Sequence, residues 1–164
     1  MKKFYYLLLP LFFITNLTAQ QYNWLNSFGS SGTDQGYIVE TDGANNIYSS
    51  GRFQGNVDFD PSSSTNFKQS NGNFDIYLTK YSEDGKLIWA NSFGSSSSVE
   101  IGRDIAIDDA ANIYLAGVFG GTVDFDPSTN VSNLSTSSSD AFLAKYDSTG
   151  AFLWVVQFGG AGNE

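Results

Sequence analysis

The 164-residue sequence contains no cysteine and no histidine. Without cysteine, no disulfide can staple the chain, and thiolate chemistry is excluded. Without histidine, Ser-His-Asp and Cys-His machinery fall away, and so do the usual zinc shells. The phosphate-cradling pattern G-x-x-x-x-G-K-[ST] is also missing. Positive charge is scarce: 8 Lys and Arg face 17 Asp and Glu, a formal net charge of −9. A field of that sign repels phosphate backbones, which argues against nucleic acid and makes cations the natural counterparts. Only one long apolar run occurs, Phe4–Ile14, and Pro10 interrupts it. It falls short of the ~20 residues that a membrane-spanning helix needs.

What is present begins with MKKFYYLLLPLFFITNLTAQ. Lys2 and Lys3, a short greasy middle and small residues near Ala19 are the parts of a secretory signal peptide, residues 1–20. An uncleaved anchor helix is the competing reading, and the short run weighs against it. Cleavage after Ala19 or Gln20 leaves a secreted or cell-surface chain with no membrane span. No cysteine follows the run, so lipid attachment at a cysteine is excluded. The remainder is rich in aromatics, with Gly, Ser, Asn and Asp in the gaps, a composition that points to an all-β protein.

The chain repeats itself. Trp24, Trp89 and Trp154 are spaced by 65, each followed four residues on by Phe28, Phe93 or Phe158 and then by Gly. GNVDFDPSSS around Asp58 returns as GTVDFDPSTN around Asp124, 66 positions later. GANNIYSSGRF matches DAANIYLAGVF, and DIYLTKY matches DAFLAKY. Each unit predicts four strands: 36–41, 47–53, 75–81 and 87–93, then 102–107, 113–119, 140–146 and 152–158. Turns rich in Asp, Asn, Gly and Ser join the first strand to the second and the third to the fourth. VDFDP lies in the long connection between. The fourth strand of the second unit, FLWVVQF, is apolar on both sides, as for a strand sandwiched between layers. Four-stranded antiparallel sheets repeating at about 65 residues describe β-propeller blades. A solenoid is the rival, though its repeats are usually shorter.

The spaced pattern Asp-x-x-x-Asn-Ile-Tyr, Gly-x-Phe, Asp-x-x-Leu-x-Lys-Tyr, Trp-x-x-x-Phe-Gly resembles the bacterial SBBP-type β-propeller repeat family over nearly all of Tyr22–Glu164. The resemblance implies an exported or cell-surface propeller, often large, mostly without an assigned biochemical activity. Such proteins often end in a sorting domain, and this sequence shows none.

The organisation expected is a signal peptide (1–20), an orphan outer strand and linker (21–34), blade repeats at 35–94 and 95–159, and the start of a further repeat at 160–164. Propellers close with four to eight blades. Two blades and an orphan strand read as the front of a longer protein, or as a chain that closes by self-association. Unpaired edges and apolar faces favour association in either case.

Candidate chemistry is limited. On an extended VDFDP segment, Val57 and Phe59 share one side and Asp58 and Asp60 the other. Asp58, Asp60, Asp124 and Asp126 therefore form a candidate calcium site, with loop carbonyls completing the shell. The alternative is that these carboxylates cap turns. The spacing D-x-[DN]-x-[DN]-G of a calcium loop is absent, which favours the caps. Asp75 and Asp140 open the third strand and are expected to accept a nearby backbone N–H. Lys80 and Lys145 read as edge lysines, the three Trp as packing anchors, and the serine runs as solvated loops. Most acids recur in both units; Asp34 and Glu100 match, whereas Glu40 and Asp104 have no counterpart. A catalytic carboxylate pair needs two different environments, so copied acids suit structure better. The function expected is a non-catalytic extracellular scaffold that meets protein or glycan at the cell surface. A carbohydrate- or calcium-binding surface protein is the alternative, as is a hydrolase whose site lies in blades beyond this sequence. No cofactor is expected apart from calcium.

Overall fold

The structure, a computed structural model, describes residues 24–96 and 98–160. The expected signal peptide and most of the expected start of a further repeat lie outside those residues. The fold is all-β, with no helix among the described residues. Four strands, β1 (Gln35–Thr41), β2 (Ile47–Phe53), β5 (Asp75–Tyr81) and β6 (Leu87–Phe93), form one antiparallel sheet in the order β1-β2-β5-β6. A second sheet has the same sequential order, built from β7 (Ile101–Ile107), β8 (Ile113–Asp124), β9 (Asn133–Tyr146) and β10 (Phe152–Phe158). All eight expected strands are present: six lie within a residue of the expected bounds, while β8 runs on to Asp124 instead of ending at Phe119 and β9 begins at Asn133 instead of Asp140.

Local chemistry sets the turns. Between β1 and β2, Asp42 Oδ1 accepts the backbone N–H groups of Ala44 and Asn46, at 2.9 Å each. The turn needs one left-handed residue, Asn45, with φ at 60°. Asp108 and Ala111 repeat the arrangement before β8, although alanine tolerates the left-handed region less well.

The VDFDP connection is more ordered than a loop. β3 (Asn56–Asp58) pairs with β4 (Phe67–Gln69) as a hairpin that projects from the first sheet. In the second unit the same hairpin is continuous with β8 and β9. The reason is one residue. Eight residues, 67–74, separate Asn66 from Asp75, but only seven, 133–139, separate Ser132 from Asp140. The extra residue in the first unit breaks the strand into β4 and β5, and Ser70 ties the break to Gly55 with two bonds of 2.9 Å.

The two sheets share a core. Tyr48, Ile76, Leu78 and Phe93 on the rear face of the first sheet pack with Ile105, Leu115, Phe142 and Tyr146 on the front face of the second. Strand β7 lies against β1, β2 and β5. Gly102 permits this approach, because a Cβ there would collide with Ser50 Oγ. A smaller core of Phe53, Val57, Phe59, Tyr77 and Ala90 fills the front of the first sheet, and Phe28 packs on it. The segment Trp24–Phe28, expected as an orphan strand, joins no ladder in the structure.

The outer faces differ from the shared seam. Val39 is 62% exposed, whereas its counterpart Ile105 is 3% exposed. Phe158 is 55% exposed, against 2% for Phe93. The sandwiched reading of FLWVVQF is thus corrected: β10 packs on β9 at its edge, and Leu153, Trp154, Val156 and Phe158 are open. No second layer covers β10 among the described residues.

Candidate functional site

Phe59 and Phe125 of the two VDFDP copies are fully buried. Phe59 stands 5.5 Å from Phe53 and 5.3 Å from Tyr77, between ring centroids. Its carbonyl accepts the Tyr81 hydroxyl at 2.8 Å, and the Phe125 carbonyl accepts Tyr146 at 3.0 Å. The neighbouring aspartates act on the backbone. Asp58 Oδ1 accepts the N–H of Asp60 (3.0 Å) and of Asn66 (2.8 Å). Asp124 Oδ1 does the same for Asp126 (3.0 Å) and Ser132 (2.8 Å). Asp60 and Asp126 then accept from Ser62 and Ser128, at 2.9 Å each. Each aspartate thus holds a turn two residues on, which satisfies backbone groups that no ladder reaches. Among the described residues no three Asp or Glu side chains are gathered as a metal-binding group.

The seam between sheets carries a second repeated constellation. Trp89 Nε1 donates to the Ser148 carbonyl at 3.4 Å, and Asn91 Nδ2 to the Gly150 carbonyl at 3.0 Å. One repeat earlier, Trp24 Nε1 donates to the Glu83 carbonyl at 2.8 Å, and Asn26 Nδ2 to the Gly85 carbonyl at 2.7 Å. Gly85 and Gly150 have φ of 78° and 82°, and each lies under an indole ring. Trp24 and Trp89 therefore each anchor on the turn of the sheet in front, whereas among the described residues Trp154 reaches no such turn and packs on Tyr114 of its own sheet.

Lys80 is not an edge residue. It sits in β5, a central strand, and is buried. Its Nζ donates to the Ser148 carbonyl at 3.1 Å, lies 3.8 Å from Asp42 and faces the Tyr48 ring at 5.0 Å. Lys145 repeats this geometry on Tyr114, 2.6 Å away, and on Asp108 at 3.4 Å. The Asn112 side chain, its backbone N–H and Lys145 hold the Asp108 carboxyl down at about 2, against the opposing effect of desolvation. For Asp42 desolvation is the largest single effect, yet the bonds from Asn46, Ala44 and Tyr48 outweigh it and keep the carboxyl low.

Three carboxylates are buried. Asp75 Oδ2 accepts the Asn71 N–H at 3.0 Å, the expected strand-entrance bond. Asp140 Oδ2 accepts from Gln157 at 2.5 Å. Oδ1 of both has no hydrogen-bond partner. Burial pushes Asp75 up to about 6, and the Asn71 bond offsets only part of that. Glu100 comes from the second unit and joins this region through the bond from its N–H to the Phe74 carbonyl. It accepts Ser95 Oγ at 2.7 Å and the Ser95 N–H at 3.3 Å. Burial raises it first, and the charge of Asp75 raises it further. Ser95, read as part of a solvated run, is buried here.

Part of this sequence is shared with a known repeat protein. An uncharacterized WD repeat-containing protein of Acanthamoeba polyphaga mimivirus is 32% identical over 90 residues, which cover 52% of this chain and 6% of that protein. The Regulatory protein FlaEY of Caulobacter vibrioides is 29% identical over 90 residues, covering 54% of this chain and 9% of that protein. The chain therefore spans a small part of either relative. No family model matches it.

Trp24, Ala44, Asn46, Ser82, Glu83 and Asp84 line a depression of ≈ 560 Å³. An aromatic edge beside an amide and two acids is chemistry suited to hydroxyl-rich ligands. Sequence reasoning missed this grouping, the Lys80 bridge and the Asp75–Glu100 approach. The available signal was the recurrence of Lys-Tyr at the end of each third strand, where a surface residue had no reason to repeat.

Proposed function

We propose that this chain is a non-catalytic, exported scaffold of the β-propeller type, its two sheets being successive SBBP-like blades. The observation that carries the reading is the repeated seam: Trp24 on Gly85 and Trp89 on Gly150, with the same pair of side-chain bonds 65 residues apart. Units that dock front to rear through copied contacts build a rigid array with repeated outer loops, which suits multivalent contact better than a single reaction centre. The partial similarity to a WD repeat-containing protein supports a propeller-type repeat. Export rests on the N-terminal sequence alone. The test is fractionation of a C-terminally tagged chain in a bacterial host. Recovery outside the inner membrane with residues 1–20 removed is expected, and retention of the intact precursor in the cytosol overturns the reading.

A second reading, a glycan-binding surface protein, is favoured by the Trp24 hollow. Binding on a glycan array that is lost in Trp24→Ala and Glu83→Ala would promote it over the scaffold.

A further inference from the structure

The segment Trp24–Phe28 covers the front of the first sheet as β6 covers the front of the second. Trp24 stacks on Gly85, Asn26 bonds its carbonyl, and Phe28 packs 4.9 Å from Phe59 and 5.4 Å from Tyr77. Phe93 makes one matching contact, 6.0 Å from Phe125, the counterpart of Phe59, and its second ring neighbour is Tyr146 at 5.3 Å. A third version of this anchor is exposed. Trp154 and Phe158 stand on β10 at the same spacing, with Lys145 beside them on β9 in the place Lys80 holds at the seam.

We propose that Trp24–Phe28 is a tethered cap, and that it competes with β10 of a second copy of this chain for the front of the first sheet. The occupant is argued from the seam within the chain. That seam pairs a rear face carrying Trp89, Phe93 and Lys80 with a front face carrying Ile105 and the Gly150 turn. The same two half-surfaces recur at opposite ends of the array: Trp154 and Phe158 are exposed on one side beside a half-buried Lys145, and on the other Val39 is exposed while the Gly85 turn lies beneath Trp24. Surfaces of that kind associate head to tail, since each copy offers one of each. The cap decides whether they do. It is joined to β1 by the short stretch Gly29–Asp34, and a short linker gives an effective concentration on the order of 1 mM. At micromolar protein the cap therefore wins by roughly a thousandfold if its contacts match those of β10 in strength. Val156 stands where Asn26 and Asn91 donate their amide bonds, so β10 is the weaker competitor by one bond. This proposal rests on the stacking half of the scaffold reading and is independent of export.

The experiment is sedimentation velocity of the whole chain against concentration, with circular dichroism to confirm the β fold. Trp24→Ala with Phe28→Ala is expected to tighten self-association at least ~100-fold over the unchanged chain, the smaller figure allowing for the lost amide bond. Adding Trp154→Ser and Phe158→Ser should return the variant to monomer. A synthetic peptide of residues 22–30, added in excess, should do the same without touching β10. A folded cap-less chain that stays monomeric overturns the proposal. So does association that ignores the β10 changes, since a further occupant or the freed segment would then be responsible. An unchanged chain that associates as tightly as the variant also overturns it. Fractionation results are unaffected by any of these outcomes.

Discussion

Replacing Asp75 by Asn removes one buried charge from the seam and leaves an oxygen to accept the Asn71 N–H. The ordinary value for this carboxyl is 3.8, and burial lifts it to about 6 in the folded chain. A folded value above the unfolded one means that the native state holds the proton more tightly. The contribution is then fully present below pH 4 and is lost as pH rises through about 6. At about 1.4 kcal/mol per pH unit of difference, the ceiling is about 3 kcal/mol. Glu100 is raised too, partly by the charge of Asp75, and so adds to the same fall. The stabilising acids act elsewhere on the scale. Asp42, Asp108 and Asp147 have lowered values, so their contributions vanish below pH 4. Between pH 4 and 7 the wild-type chain should therefore become less stable. Asp75→Asn should flatten that slope and make the variant the more stable of the two at pH 7.5. An unmatched amide N–H would cost about 1–3 kcal/mol, but equally at every pH. The assay is the urea midpoint measured from pH 4 to 7.5. A wild-type curve that is flat or rising, or a variant that keeps the wild-type slope, refutes the reasoning.

Asp124→Ala deprives two N–H groups of their acceptor and should cost about 1–3 kcal/mol in a urea melt. If the same carboxylates hold calcium, stripping the wild-type chain with chelator and restoring calcium will raise Tm; caps alone predict no change. Gly150→Ala puts a side chain at φ 82° beneath the Trp89 ring, and more than ~1 kcal/mol of destabilisation is expected, read as a lower Tm with a loss of near-ultraviolet signal from the indole.

The strands were legible because their determinants are local. Alternating apolar residues, Asx turns and the 65-residue recurrence set six strands within a residue of where they lie, whereas the extension of β8 to Asp124 and of β9 back to Asn133 went unread. Whether Asp58 caps or chelates could be weighed but not read, since the answer depends on where the Asn66 N–H falls in space. Lys80 was misread for a related reason. Its place in the strand resembles that of an edge lysine, and only the neighbouring sheet reveals that it bridges to Ser148. Asp75 and Glu100 lie 25 residues apart, and the Glu100 N–H donating to the Phe74 carbonyl helps to bring the two carboxylates near enough for their charges to interact. Exposure of β10 was illegible for the opposite reason: a run apolar on both sides reads as covered, and only the structure shows Leu153, Trp154, Val156 and Phe158 open.

The clamp that Asp58 and Asp124 place at the neck of each hairpin has a practical side. Residues 61–65 and 127–131 beyond it are mostly exposed, while the carboxylate below grips both rails of the arm. Foreign peptide spliced into either tip would be presented outward, with both of its ends fastened and the sheet beneath left undisturbed. Two such arms, a fixed distance apart on one body, make the molecule a ruler for spacing displayed epitopes.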